Sequence, residues 1–348
     1  MTTIDPAARL TSTFDTDDLR SFVDGPGPFV TVLLPSPSGR FGSEHRFELM
    51  WKHARRAIEQ GDETWPDELV EQLERAIAEL HHSEAPSFVV AQRSDGEVFI
   101  EPMASALKGD DPVVTIGAAP RLLEVIDDRQ RRLPHLVVET DRAGATITAF
   151  TDGRASDNES VEGDTEHIHR GRGGGWSHRR HQQRAENTWE RNAGEVAEVV
   201  TQMARSVDPV LIAVSGEVRA TQFLHEALAD EFGDRLVDIA AGDADGIADE
   251  VLNDLADRRA RFQVAILERL RNEGGVTDPD EVRRALRDGR VETLLIAGPT
   301  AHTDEPRRNR IIADVSEATA AALTTSAHVV VVPVTAELDG GLAALTRW

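Results

Sequence analysis

Val210-Leu-Ile-Ala-Val214 and Leu236-Val-Asp-Ile-Ala240 are short apolar runs separated by a helical pattern over about 220–231. A crossover through a helix lays its two strands side by side in the same direction, so this stretch calls for a parallel sheet carrying a packed helix. The same alternation recurs on both sides and places the chain in the α/β class. Upstream, Phe29–Pro35 is a strand-length run bounded by Gly27-Pro28 and Pro35-Ser-Pro37. Helical patterns follow through Phe47, Met50, Trp51, Ala54 and Ile58, then through Leu69, Leu73, Ala76, Ile77 and Leu80. Ser87–Ala91 and Val98–Ile100 form a hairpin pattern across Ser94-Asp-Gly96, and Val113–Ile116 closes the set.

A second set opens at His135, where Leu136–Thr140 and Ala145–Phe150 flank Asp141-Arg-Ala-Gly144. From about Gly246 a long helical pattern runs to Arg271 and is broken by Asn272-Glu-Gly-Gly275. A short helix from Asp278 to Gly289, a strand Val291–Ala297, a helix Arg307–Leu323 and a buried strand His328–Pro333 complete the chain. At 348 residues the chain is long enough for three domains, which the pattern places at 1–133, 134–245 and 246–348. Zero cysteines exclude disulfides, thiolate ligands and a cysteine nucleophile, and fit a reducing cytoplasm. The start MTTIDPAARL has no basic flank before an apolar core, and no apolar run approaches the roughly 18 residues of a membrane span, so a cytoplasmic location is expected.

The net charge of −24 argues against sequence-blind nucleic-acid binding, which relies on a basic surface. Against that background Glu166–Glu186 is a local reversal. Gly171, Gly173, Gly174 and Gly175 give the backbone freedom to approach another surface, Arg170, Arg172, Arg179, Arg180 and Arg184 supply forks that match phosphate oxygens, and Trp176 offers a face on which a base can stack. An acidic strip of Asp152, Asp157, Glu159, Glu162 and Asp164 precedes it and reads as a solvated charge run. Ala185, Trp189, Ala193, Val196, Val200 and Met203 recur at helical spacing. The stretch therefore reads as a mobile, glycine-hinged loop mounted on an amphipathic helix that starts near Ser177 and ends at Asp208-Pro209.

Other chemistries fit these residues less well. His167, His169, His178 and His181 could in principle hold Zn²⁺, but five neighbouring arginines oppose a divalent cation, so no metal is expected. The glycines lack the Lys-Ser/Thr that would end a P-loop. Ser177 with His178 or His181 has no nucleophile-elbow pattern around it, and a serine after a loop more often caps a helix. No cofactor is expected, nor a membrane or DNA partner.

Three segments together resemble the archaeal and eukaryotic class-one peptide chain release factors and their relative Pelota. In that family a middle-domain loop reads Gly-Gly-Gln-Ser, a small residue, then an Arg-rich helix ending in Glu; this chain has Gly174-Gly175-Trp176-Ser177-His178-Arg179-Arg180, closed by Glu186. Ala285–Ile296, reading ALRDGRVETLLI, resembles the family's third domain, and Gly340–Trp348 its terminus. The likeness is to the bacterial branch that includes the Balon-type ribosome hibernation factors. It implies a three-domain α/β architecture, with a divergent N-terminal domain, a middle domain with a mixed sheet, glycine loop and long helix, and a small C-terminal domain.

The resemblance also implies a ribosomal A-site partner, rRNA contacts from Arg170, Arg172, Gly173, Gly174, Gly175, Trp176, Ser177, Arg179, Arg180 and Arg184, and a translational GTPase such as elongation factor Tu. Where the family has its hydrolytic Gln stands Trp176, and an indole has one donor and no acceptor. The Asn-Ile-Lys-Ser and Tyr/Cys motifs of stop-codon reading are missing too. The expectation is a non-catalytic ribosome-binding factor. A peptidyl-tRNA hydrolase or rescue factor with a displaced catalytic residue, and an adaptor that binds protein through its acidic surface, stand as alternatives.

Overall fold

The computed structural model describes residues 16–36, 43–61, 65–107, 109–163, 176–240, 242–298, 305–333, 338 and 341–348, and of residues 43, 44, 81, 176–185 and 305–310 the backbone alone. It is an α/β protein with three sheets among the described residues, one for each segment expected to form a domain. Residues 1–130 and 262–348 make one compact unit, and residues 131–261 make a second.

In the first unit, α1 (Asp17–Val23) precedes β1 (Phe29–Pro35), which is buried at every position. With α2 (Ser43–Glu59), α3 (Asp67–Ala78), β2 (Ser87–Arg93), β3 (Val98–Met103) and β4 (Val113–Gly117) it forms an antiparallel sheet of order β3-β2-β1-β4. Strand alternation sends Val30, Val32 and Leu34 to one face, where Phe47, Trp51, Ile58, Leu73 and Ile77 of the two helices cover them. Leu33 and Val89 point the other way, into a core that also takes in α4 (Leu123–Arg129).

That second core is shared with the C-terminal segment. α8 (Pro279–Arg287), β10 (Val291–Ala297), α9 (Glu305–Thr324), β11 (His328–Val332) and β12 (Leu342–Thr346) form a sheet of order β11-β10-β12, with β10 and β11 parallel and β12 antiparallel. Leu19, Leu122 and Ile126 pack with Val282, Leu294, Val315, Val329 and Leu342 in one cluster. The segments read as first and third domains thus contribute to a single core. Their junction is polar as well as apolar. The Gln130 amide lies beside the edge strand β11 as a further strand would: its Nε2 donates to Val329 O at 2.7 Å, and its Oε1 accepts from Val331 N at 3.0 Å. Gln263 Nε2 donates to Val331 O at 2.7 Å. These amides satisfy edge groups that burial would otherwise strand without water.

The second unit holds β5 (His135–Thr140), β6 (Gly144–Thr151), β7 (Arg154–Glu162), α5 (Trp176–Val207), β8 (Leu211–Gly216), α6 (Val218–Phe232) and β9 (Leu236–Asp238). The sheet order is β7-β6-β5-β8-β9, antiparallel among the first three strands and parallel from β5 onward. The strand-helix-strand crossover expected from the sequence is β8-α6-β9. Of the acidic strip, Asp157, Glu159 and Glu162 lie on β7, an exposed edge strand paired with β6, so these charges are solvated as expected while the backbone is ordered by its neighbour; Asp164 lies outside the described residues. α7 (Ala244–Glu273) runs through the 261/262 boundary between the units, its residues 244–261 belonging to the second and 262–273 to the first. Among the described residues no helix is long and apolar enough to cross a membrane.

Candidate functional site

Helix α5 carries the arginine-rich stretch, and its position follows from its apolar stripe. Trp189, Ala193, Val196, Ala197, Val200, Met203 and Ala204 are buried, most of them against Ile147, Val138 and Val214 of the sheet and Leu224 and Leu228 of α6. The helix ends where Asp208 takes φ 47° ahead of Pro209, whose ring cannot continue an α-helix. It opens at Trp176, one residue before the serine expected to cap it, so Ser177 lies within the first turn.

Of the expected contact residues, Arg170, Arg172, Gly173, Gly174 and Gly175 lie outside the described residues, as do His167 and His169. Trp176, Ser177, Arg179, Arg180 and Arg184 are helical, and backbone geometry alone puts positions 176, 180 and 184 in line along α5. Among the described residues no group of three or more His, Asp or Glu could hold a metal ion.

The described part of the site lies at the level of Trp189 and Asn192, where the chain leaves β7. Here four segments meet. The Arg142 guanidinium, from the β5–β6 turn, sits 4.7 Å from the centroid of the Trp189 ring and its Nη2 reaches Glu217 Oε1 at 2.5 Å. Glu217 precedes α6 and caps it, its Oε2 accepting from Arg219 N at 3.1 Å and Ala220 N at 3.3 Å. The Arg142 hydrogen bond holds the Glu217 carboxyl below its ordinary pKa, helped by the backbone donors, while burial acts in the opposite direction. The same bond raises Arg142. Asn192, from α5, donates through Nδ2 to Arg142 O at 2.9 Å.

Two glycines make this convergence possible. Gly216 has φ 139°, and a Cβ there would stand 1.8 Å from Thr140 O. At Gly163 a Cβ would stand 2.4 Å from Asn192 Cγ, so the end of β7 lies directly against α5. Gly163 N donates to Ala143 O at 2.5 Å, completing the ring.

The two described residues that flank segment 164–175 are therefore fixed at different heights. Gly163 is held beside Asn192, whereas Trp176 begins the same helix sixteen residues earlier, about 24 Å away at the α-helical rise. The cluster can fix where the glycine segment departs and hold the helix that receives it; it offers no nucleophile paired with a base. Arg142, Glu217 and Asn192 were not singled out by the sequence. Asp141-Arg-Ala-Gly144 reads only as a hairpin turn, and Trp189 only as one more apolar residue.

Residues 134–276, which include this helix and the whole cluster, match the model of bacterial archaeo-eukaryotic release factor family 2. Two uncharacterized proteins of Mycobacterium tuberculosis, from strains CDC 1551 and H37Rv, are each 25% identical to this chain over 293 residues, or 80% of this chain and 77% of theirs. Among solved structures, the archaeal translation termination factor aRF1 is similar across 96% of this chain and 99% of its own at 17% identity, with a TM-score of 0.25. A model of ribosome-bound archaeal Pelota and ABCE1 is similar across 96% and 94% at 16% identity, with a TM-score of 0.41.

Proposed function

We infer the function from one premise: residues 134–276 of this chain belong to the bacterial branch of the archaeo-eukaryotic release factors. The chain binds the ribosome and occupies its A site without catalysing peptide release, as a factor of hibernation or stress. The observation that carries this reading is the indole of Trp176 at the opening of a 32-residue helix, in the place where the family it resembles has a glutamine amide. An amide can both accept a hydrogen bond from an attacking water and donate one; an indole can only donate. Arg170, Arg172, Arg179 and Arg180 pair with rRNA phosphates, Gly173, Gly174 and Gly175 permit close backbone approach, and Trp176 stacks. Ser177 and Arg184 extend the contact along the helix. The C-terminal segment meets a translational GTPase such as elongation factor Tu. Arg142, Glu217 and Asn192 hold the base of this apparatus.

The test is cosedimentation with vacant ribosomes at rising salt. Replacing Arg170, Arg172, Arg179 and Arg180 with Ala removes four phosphate contacts and flattens the slope of log K against log salt by about 3. An unchanged slope removes the segment from the interface. On ribosomes carrying labelled peptidyl-tRNA the purified protein leaves the ester intact; release abolished by His178→Ala assigns a hydrolase instead.

A further inference from the structure

Helix α7 carries two apolar stripes where a helix on a globular core needs one. Ile247, Val251, Leu255, Ile266, Leu267 and Leu270 are buried. Beside them Ala248, Leu252, Ala256, Ala260 and Val264 follow one another at steps of four, and all five are exposed. Residues four apart stand in one continuous ridge on a helix surface. Leu252 is 61% exposed and Val264 54%, so this one helix holds two of the six large apolar side chains left exposed among the described residues.

The charges of α7 are sorted along its length. Residues 244–257 contain five acids and no base, and residues 258–271 contain five arginines and one acid. The helix dipole accounts for Asp245 in the first turn and Arg271 in the last, but its influence fades within a turn of each end. It leaves Asp254, Asp257, Arg259 and Arg261 in the middle of the helix unexplained. The other long helix, α5, is not sorted: Glu190, Arg191, Glu195, Glu198 and Arg205 are mixed along it. Asp257 and Arg261, which each follow an alanine of the exposed ridge, are themselves exposed.

We propose that the exposed ridge of α7 is a self-association surface, where a second copy of this chain docks with its own α7 antiparallel. With the two-fold axis at Arg258, Leu252 faces Val264 of the second copy and Ala256 faces Ala260, whose small side chains let the two backbones approach. The acidic half of each helix then lies along the arginine half of the other, and Asp257 of each copy meets Arg261 of the other. Charge complementarity chooses this occupant, because the surface already contains its own complement in reversed order, which is what an isologous contact requires. A parallel pair would set acids against acids. Two chains of net charge −24 repel at long range, so only such a local match can hold them together.

The experiment is analytical ultracentrifugation of the ribonuclease-treated full chain at about 0.15 M salt, where the Debye length of about 8 Å screens the overall repulsion. No ribosome is present, so failure of this proposal and failure of the proposed function are read separately. A reversible monomer–dimer equilibrium is expected, weak because a single helix pair is a small interface. Leu252→Glu removes one leucine from each side of the contact and weakens association at least about 100-fold. Asp257→Arg and Arg261→Asp each weaken it about ten-fold, and Asp257→Arg/Arg261→Asp restores it, as does mixing the two single variants. All three positions are exposed, and circular dichroism of each variant confirms the fold. A chain that stays monomeric at several hundred micromolar (on the order of the weakest specific contacts), association untouched by Leu252→Glu, or no recovery on exchanging the charges overturns the proposal.

Discussion

Gly163→Ala tests whether the end of β7 is held against α5 as described. The new Cβ would stand 2.4 Å from Asn192 Cγ, 2.6 Å from its Oδ1 and 2.7 Å from its Nδ2, where carbon contacts need about 3.5–4.0 Å. One side must yield by more than about 1 Å. Asn192 is only 2% exposed, and turning it away breaks its bond to Arg142 O. Overpacking costs about 1–3 kcal/mol and the stranded carbonyl about 1–3 more, so the variant loses roughly 2–6 kcal/mol. Asn192→Ala loses the same bond but opens the space, at about 1–3 kcal/mol. In the double variant the methyl at 163 enters the room left by the amide. The two losses then overlap, and the cycle shows a favourable coupling of about 1–3 kcal/mol. Urea unfolding followed by tryptophan fluorescence gives all four corners of the cycle. Additivity within about 0.5 kcal/mol refutes the reasoning, because it means that the backbone at 163 moves off the helix instead of the amide turning.

Three further outcomes follow from buried polar groups. Gln130→Met keeps the side-chain length but deprives Val329 O and Val331 N of their partner, costing about 2–6 kcal/mol by denaturant titration, whereas Gln263→Met deprives Val331 O alone and costs about half as much; equal effects would contradict the edge-strand account. Arg129 holds the buried Glu101 through contacts of 3.1 and 2.8 Å and Asp18 through contacts of 3.0 and 2.6 Å, so Arg129→Met destabilises by about 3–5 kcal/mol, and adding Glu101→Gln recovers part of it; no recovery would show that charge is not the cause. Burial lowers the pKa of His135, opposed by its hydrogen bond to Leu133 O, so the ring is neutral in the fold while the unfolded chain takes up a proton below about pH 6.5. That contribution to stability is present above about pH 6.5 and is lost as pH falls through the lowered folded value; His135→Phe, stacked on Phe150 as the imidazole is, should make stability less dependent on pH below about 6.5, and superimposable pH curves would exclude the assignment.

Much of the secondary structure was written locally. Phe29–Pro35 and Val291–Ala297 are strands over the residues expected, and Asp278-Pro279 opens α8 with Asp278 Oδ1 accepting from Glu281 N at 2.9 Å. The helix that bears Arg179, Arg180 and Arg184 was legible because its apolar residues repeat with the helical turn. β7 was not, since an exposed acidic strand has no apolar alternation and exists because β6 pairs with it. β12 was read only as a terminus, and α1 and α4 are too short to show a period of their own.

The sequence by itself determined the α/β class and the mounting of an arginine-rich stretch on an amphipathic helix. Period, charge and residue chemistry are local properties, and a reader needs nothing else to see them. Only the tertiary structure decided that Arg142, Trp189, Asn192 and Glu217 form one cluster, and that Gln130 completes an edge strand 199 positions away. Both depend on which polar group finds which partner once water is excluded, and that choice is made by packing across the chain.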